Sequence, residues 1–104
     1  MSADIQVHDV PDRSEYELRV DGARVGFAHY VLRGGRRYFV HTEVDEAHEG
    51  EGLGSVLAAR ALDAARASGE PIVPLCPFIA GYIERHPEHA DLIDRPLYDA
   101  MTSR

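Results

Sequence analysis

Three glycines stand at alternate positions near the middle of the chain, directly after a strand-like segment. Gly50, Gly52 and Gly54 allow the backbone to take positive φ angles and to approach a ligand closely. The helix predicted after them presents unpaired N–H groups and the positive end of its dipole. This combination is typical of a site that binds an anion, above all phosphate. A purely structural tight turn is the alternative interpretation, because glycine is also the usual residue of such turns.

A thiol, an imidazole and a carboxylate form a second group of candidates. Cys76 stands between an apolar segment and a predicted helix start, where unpaired N–H groups favour the nucleophilic thiolate. His41 and Glu43 alternate along a predicted strand and therefore share a face, where His41 could act as a general base. A lone cysteine is also a common core residue, and His41 could be an ordinary sheet histidine. The spacing does not decide whether His41 reaches Cys76.

The remaining histidines do not form a pattern typical of a metal site. Pro87 ends the predicted helix between His86 and His89, and no second pair has zinc-like spacing. We therefore predict no metal. The histidines considered and set aside are His8, His29, His48, His86 and His89.

The length and composition predict one globular domain over residues 1–104, with 44% hydrophobic and 28% charged residues. The net charge of -7 argues against partners such as nucleic acid or an anionic membrane surface. The N-terminal residues lack the basic and apolar regions of a signal peptide, and no apolar run is long enough to span a membrane. A single cysteine permits no intramolecular disulfide. We therefore expect a cytoplasmic protein.

The first half of the chain alternates between apolar and polar residues and predicts four antiparallel strands, at residues 5–10, 15–20, 23–32 and 36–44. Asp21-Gly22 and Gly34-Gly35 are the predicted hairpin turns. We expect the third strand to be central and covered on both faces. In the fourth strand, strict alternation gives one face Tyr38, Val40, Thr42 and Val44, and the other face Phe39, His41 and Glu43.

The second half predicts a helix after the glycines, ending at Ser68-Gly69, and then a short strand at residues 72–75. That strand should lie parallel to the fourth strand, because a helix crosses between them. A second helix begins at Pro77 and ends before Pro87. Leu92, Ile93, Leu97 and Tyr98 indicate a final docked segment, with fraying beyond it.

This α+β order, β-β-β-β-α-β-α, resembles the GNAT superfamily of N-acetyltransferases. That superfamily carries an Arg/Gln-x-x-Gly-x-Gly/Ala signature, which the segment from Glu49 to Gly54 matches except at its first residue. The chain resembles most closely a short GNAT-like branch with one cysteine after the fifth strand. That branch lacks the pair of helices that helps larger members to bind the acceptor. The segments that carry this likeness are His41-Thr42-Glu43-Val44, Pro74-Leu75-Cys76-Pro77-Phe78 and Arg85-His86-Pro87.

The resemblance implies acetyl-CoA as cosubstrate, an amine as acceptor, and a mostly antiparallel sheet whose fourth and fifth strands are parallel and splay apart near Glu43 and Cys76. The pantetheine arm would enter that gap. The implied catalytic residues are Cys76, His41 and Glu43. The implied CoA-binding residues are Val44, Glu49, Gly50, Glu51, Gly52, Leu53, Gly54 and Ser55. Arg85 is a further candidate for a CoA phosphate, with a solvated surface position as the alternative interpretation.

Three functions remain open on the sequence. The first is a small acetyl-CoA-dependent N-acetyltransferase, in which acetyl passes to the amine directly or through Cys76. The second is a module that binds CoA or acyl-CoA with little turnover. The third is an interaction domain that retains only the fold. The glycine pattern favours the first two over the third, and Cys76 with His41 favours the first over the second.

Overall fold

The computed structural model of the protein describes residues 3–48 and 50–103. These residues form an α+β fold, as the sequence predicts, with one regular helix more than expected at the C-terminal end. Three short 3₁₀ helices connect the main elements, at Pro11–Arg13, Glu46–His48 and Pro87–Leu92. The strands and α-helices are β1 (Ile5–Val10), β2 (Glu15–Val20), β3 (Ala23–Arg33), β4 (Arg36–Val44), α1 (Leu53–Ser68), β5 (Ile72–Pro74), α2 (Pro77–Arg85) and α3 (Arg95–Thr102).

The five strands form one sheet in the order β1-β2-β3-β4-β5. The first four strands pair antiparallel, and β5 pairs parallel to β4. Both predicted hairpin turns are present, and Asp21 and Gly22 take the positive φ angles, 50° and 85°, that a tight two-residue turn requires. The parallel pairing follows from α1, which carries the chain across the sheet between β4 and β5. The mostly antiparallel sheet with a parallel β4–β5 pair is therefore confirmed.

A bulge in β4 changes the faces that simple alternation assigns to this strand. His41 pairs with His29 and Phe39 pairs with Tyr30, so Val40 is an extra residue between the two pairs. A bulge of one residue exchanges the faces of all positions on one side of it. The alternation read from the sequence therefore holds within each half of β4 but not across Val40.

The buried face of β4 accordingly combines residues that were expected on opposite faces. Phe39 is fully buried in the core, and Val44 packs against the same cluster. Thr42 shares this face, because its hydroxyl contacts the sulfur of Cys76 in the core. The placement of Phe39 with His41 and Glu43 was thus wrong, whereas the predicted pairing of Thr42 with Val44 holds.

One apolar cluster joins the inner face of the sheet to α1 and α2. Helical spacing places one face of each helix toward the sheet, and burying these side chains is the main driving force of the fold. The cluster includes Tyr16, Leu18, Ala28, Tyr30, Phe39, Leu57, Ala58, Ala61, Leu62, Ala65, Ile72, Cys76, Ile79, Tyr82 and Ile83.

The outer face of the sheet is not covered by a helix along its length. Val31 and Leu32 of β3 are 41% and 53% exposed, so the expectation that β3 is covered on both faces was wrong. At β2 the outer face carries an ionic layer instead. The carboxylates of Glu15 and Glu17 are buried, and the guanidinium of Arg24 lies 2.9 Å from Glu15 and 3.3 Å from Glu17. Ion pairs with surface arginines thus stabilise the outer face at β2, whereas apolar contacts stabilise the inner face.

The C-terminal segment is docked, as predicted, and the structure shows that it docks on the β5 edge of the sheet. The N–H of Asp94 donates to the carbonyl of Ile72 at 2.9 Å, and Ile93 forms a parallel bridge with Ile72. The carboxylate of Asp94 also pairs with the guanidinium of Arg36 at 2.5 Å. Fraying beyond Tyr98 was expected, but α3 continues to Thr102.

Candidate active site

The strands β4 and β5 separate at their carboxyl ends. Their pairing ends with Phe39 opposite Pro74, and the last backbone bond between them runs from the N–H of Cys76 to the carbonyl of Phe39 at 2.8 Å. Beyond this bond β4 continues to Val44, whereas the chain after β5 turns away into α2 at Pro77. The predicted separation of the two strands between Glu43 and Cys76 is therefore present.

A cavity of about 590 Å³ lies beyond this point of separation. Its walls come from the end of β4, the glycine turn, the start of α1 and the start of α2. A cavity of this size is within the range that cofactor-sized ligands occupy. The lining residues are Thr42, Glu43, Val44, Glu46, His48, Gly50, Gly52, Leu53, Gly54, Ser55 and Phe78.

Most of the predicted CoA-binding residues border this cavity. Glu51 is adjacent to it and contacts His48, while Glu49 lies outside the described residues. Arg85 does not border it, because it is the last residue of α2, about 10 Å along the helix from Phe78. The predicted residues that line the cavity are Val44, Gly50, Gly52, Leu53, Gly54 and Ser55.

The glycine turn leaves the first turn of α1 without a side-chain cap. Gly50 and Gly52 have φ angles of 84° and 76°, which favour glycine, and Gly52 is the N-cap residue of α1. The N–H of Val56 donates to the carbonyl of Gly52. Among the described residues, the N–H groups of Gly54 and Ser55 donate to no backbone acceptor. The turn thus offers two unpaired donors and the positive end of the helix dipole to an anion.

The third glycine of the pattern serves packing rather than backbone freedom. Gly54 lies within the helix, and a Cβ atom at this position would come within 2.8 Å of the Cζ atom of Phe78. The expectation of a positive φ angle at Gly54 was therefore wrong. A hydrogen at this position allows the start of α1 to approach the ring of Phe78, which forms part of the cavity wall.

Cys76 lies directly behind the wall of the cavity. Its side chain is 3% exposed, and its thiol donates a weak hydrogen bond to the hydroxyl of Thr42, with 3.4 Å between Sγ and Oγ1. Thr42, which contacts this sulfur, and Phe78, two residues further along the chain, both line the cavity. Cys76 is also the N-cap residue of α2, so it occupies the helix start that the sequence predicts. A single side chain, that of Thr42, therefore connects the thiol to the cavity.

Thr42 is a site residue that the sequence analysis did not select. Its signal was present, because it stands between His41 and Glu43 in the strand that precedes the glycines. A threonine on an otherwise apolar buried face needs a hydrogen-bond partner, and the sulfur of Cys76 is that partner. Glu46, His48 and Phe78 are three further lining residues that were not selected as site residues.

His41 and Glu43 lie side by side, as predicted, but on the outer face of the sheet. Nε2 of His41 is 3.5 Å from Oε2 of Glu43, and the two side chains are 60% and 63% exposed. The imidazole packs near the ring of Phe27 on that face, with 6.0 Å between ring centroids. Because Thr42 between them points to Cys76, the structure does not bring His41 to the thiol. Glu43 nevertheless borders the cavity.

The tyrosine of α2 belongs to the core and not to the cavity. Tyr82 is buried and stacks on the imidazole of His86, with 4.2 Å between ring centroids. Burial raises the pKa of the Tyr82 hydroxyl above its ordinary value.

Neither a cluster of metal-ligating side chains nor a helix able to cross a membrane occurs in residues 3–48 and 50–103. Within these ranges no three histidine, cysteine, aspartate or glutamate side chains come together as metal ligands would. None of the helices described is both long enough and apolar enough to cross a membrane.

Comparison with known protein families gives one match that spans most of the chain. Residues 15–92 match the family described as GCN5-related N-acetyl-transferase. The matched range extends from β2 to the last 3₁₀ helix and includes every element that borders the cavity, whereas β1 and α3 lie outside it. The search of curated proteins finds no match to the chain.

Proposed function

The chain belongs to the GCN5-related N-acetyl-transferase family, and from this premise we propose that it is an N-acetyltransferase that transfers acetyl from acetyl-CoA to an amine. The observation that carries the proposal is the cavity at the β4–β5 separation, into which the uncapped start of α1 opens. A net charge of -7 disfavours nucleic acid and anionic membranes as partners, and a single cysteine agrees with a reducing compartment such as the cytoplasm.

The glycine turn is the proposed binding site of the CoA diphosphate. The unpaired N–H groups of Gly54 and Ser55 supply hydrogen-bond donors, and the absence of a side chain at Gly52 gives the phosphates access to the backbone. The pantetheine arm would then follow the gap between β4 and the start of α2. That path brings the thioester toward Thr42 and Phe78, behind which Cys76 lies.

Cys76 is the proposed nucleophile of a two-step transfer. Its sulfur attacks the thioester carbonyl carbon, a new C–S bond forms, and CoA leaves as its thiol after taking the proton of Cys76. The amine nitrogen then attacks the acetyl-cysteine, the Cys76 sulfur leaves, and the proton of the nitrogen returns to it. The hydroxyl of Thr42 supports this role, because it can accept a hydrogen bond from the thiol and donate one to the thiolate. Direct attack of the amine on acetyl-CoA is the one-step alternative.

A CoA-binding module with little turnover is the second candidate function. The observations that favour it are the burial of Cys76 and the position of His41 on the opposite face of the sheet. Among the described residues, Thr42 is the side chain that hydrogen-bonds to the thiol, so formation of the thiolate depends on that contact and on the start of α2. The two candidate functions share the CoA site and differ in what happens at Cys76.

Intact-mass measurement after incubation with acetyl-CoA separates these possibilities. All 11 basic residues counted as lysine or arginine are arginines, so the only primary amine of the chain is its N-terminus. A stable gain of one acetyl group therefore reports either that amine or Cys76. Hydroxylamine distinguishes the two, because it cleaves a thioester under conditions in which an amide persists. We expect a hydroxylamine-sensitive adduct that is absent from Cys76→Ala.

The remaining outcomes of this experiment are equally specific. Transfer to added amines at the parent rate by Cys76→Ala would exclude the acyl-cysteine and leave direct transfer. CoA binding without an adduct and without transfer to any of a panel of amines would support the binding module. Calorimetry that detects no binding of CoA or acetyl-CoA would contradict both candidate functions.

A further inference from the structure

The proposed diphosphate site has an unfavourable charge. Its lining includes the carboxylates of Glu43 and Glu46 but, among the described residues, neither lysine nor arginine. The whole chain carries a net charge of -7, and the diphosphate of CoA is itself anionic. Backbone N–H groups supply hydrogen bonds but no full positive charge. Among the described lining residues, His48 is the one whose side chain can become a cation.

His48 is held at the mouth of the cavity by contacts on both sides. Its backbone N–H donates to the carbonyl of Asp45 at 2.9 Å, and its carbonyl accepts from the N–H of Glu51 at 3.4 Å. Nδ1 of its imidazole lies 3.0 Å from Oε1 of Glu51. The imidazole is 30% exposed, so it can reach a ligand in the cavity while remaining tied to the turn.

The contact with Glu51 determines what the other ring nitrogen offers to a ligand. Because a carboxylate can only accept, Nδ1 of His48 must carry the proton that it donates to Glu51. The neutral ring then has a lone pair on Nε2, which repels a phosphate oxygen. The protonated ring has a second N–H there, which donates to one. Among the described residues, Nε2 has no hydrogen-bond partner.

We propose that His48 is a diphosphate-binding residue whose imidazole takes up a proton when CoA binds. This inference rests on the proposed CoA site. Among the described residues, the charged groups around the imidazole are Glu51, which contacts it, and Glu46 and Glu43, which line the same cavity. The starts of α1 and α2 contribute lining residues without titratable groups. The bound diphosphate would place further negative charge beside the ring, which favours its protonated form in the complex.

The consequence is a dependence of CoA affinity on pH. Histidine is the side chain that changes charge between pH 5 and 8. If the His48 imidazole binds its proton more tightly in the CoA complex than in the free protein, the affinity for CoA rises as pH falls through that range. We expect affinity at pH 8 to be about tenfold weaker than at pH 6.

Calorimetry with dephospho-CoA tests this inference without interference from the ligand. CoA carries a 3′-phosphomonoester, which itself titrates near pH 6, whereas dephospho-CoA retains only the fully ionised diphosphate. Titrations at pH 7 in two buffers with different ionisation enthalpies give the number of protons taken up on binding. We expect the parent to take up a fraction of a proton, and His48→Gln to take up none and to bind about tenfold more weakly at pH 6.

His8→Gln is the matched control. His8 lies on the edge strand β1, bonds to Gln6 and does not border the cavity, so its removal should leave affinity and proton uptake unchanged. Proton uptake by the parent is measured without any variant, and its absence would overturn the inference even if His48→Gln did not fold. Equal uptake by the parent and His48→Gln would also overturn it. In both cases CoA still binds, so the proposed function stands, whereas failure of CoA and dephospho-CoA to bind at any pH would remove both.

Discussion

The three α-helices of the described chain begin in two different ways. At the start of α3, the carboxylate of Asp94 accepts a hydrogen bond from the N–H of Leu97 at 3.2 Å. At the starts of α1 and α2, the N-cap residues Gly52 and Cys76 make no side-chain capping bond. The two uncapped starts border the cavity and the capped one does not. A side-chain cap stabilises a helix by about 1 kcal/mol, so the cavity is built from the less stable arrangement.

This difference separates the parts of the molecule that hold the fold from the parts that serve the site. The N–H groups that a cap satisfies at α3 stay available to a ligand at α1. The stability given up there is supplied elsewhere, in the apolar cluster beneath the sheet and in the docking of the C-terminal segment. Substitutions at the uncapped starts should therefore change ligand binding or acetyl transfer more than stability. Substitutions at the capped start should change stability and leave binding unaffected.

The largest expected effect comes from Gly52→Val. A valine at a φ angle of 76° is strained by about 1–2 kcal/mol, and its side chain would stand where the proposed diphosphate approaches the backbone. We expect CoA affinity to fall about a hundredfold, the equivalent of two lost hydrogen bonds to a charged ligand. Calorimetry measures the affinity, and denaturant unfolding measures the stability.

Gly69→Val is the matched control for this substitution. Gly69 is the C-cap residue of α1, with a φ angle of 85°, and a Cβ atom at either glycine would meet nothing within 4 Å. The two variants should therefore lose similar stability, while Gly69→Val keeps the CoA affinity of the parent. Equal affinity of both variants for CoA would show that the turn is only structural.

A smaller effect is expected from Thr42→Val in β4, whose side chain contacts the N-cap residue of α2. Valine keeps the shape of threonine but removes the hydroxyl that contacts the sulfur of Cys76. We expect acetyl transfer and alkylation of the thiol at neutral pH to slow roughly fivefold, with CoA affinity unchanged. Thr42→Ser restores the hydroxyl and should recover most of both rates. If serine and valine behaved alike, the contact would be packing and not chemistry.

The sequence predicted the elements well because their signals are local. Alternation, helical spacing and the turn residues gave β1 to β5, α1 and α2 with nearly correct boundaries. The bulge at Val40 could not be predicted, because no residue in β4 marks the register of its pairing with β3. That one residue decides which side chains of β4 meet the core.

The candidate site was predictable to the same extent. The glycine turn and Cys76 stand at positions that local signals define, the end of a strand and the start of a helix. The contact between Thr42 and Cys76 joins residues 34 positions apart, so it depends on how β4 and β5 pair. The distance of His41 from the thiol has the same origin, since only the strand pairing shows which face carries Cys76.

The smallest expected effect lies at the capped start, in Asp94→Ala. This substitution removes the cap of α3 together with the ion pair to Arg36. We expect the Tm to fall by about 5 °C and CoA affinity to remain that of the parent. Asp94→Asn separates the two contacts, because asparagine also caps a helix but carries no charge. The Tm of Asp94→Asn should fall less than that of Asp94→Ala, because an exposed ion pair contributes little to stability.

The pH dependence of the loss in Tm caused by Asp94→Ala tests whether the ionised carboxylate is responsible for it. The hydrogen bond from Arg36, and after it that from the N–H of Leu97, lowers the pKa of Asp94 below its ordinary value in the folded protein. The stabilisation from ionised Asp94 is therefore fully present above the pKa of the unfolded chain, about 4, and is lost as pH falls through the lower folded pKa. The difference in Tm between the parent and Asp94→Ala should thus be constant from pH 7 to 5 and shrink below pH 4. A difference that stayed constant in acid would mean that the charge of Asp94 contributes nothing, and that the side chain stabilises the start of α3 as an uncharged cap alone.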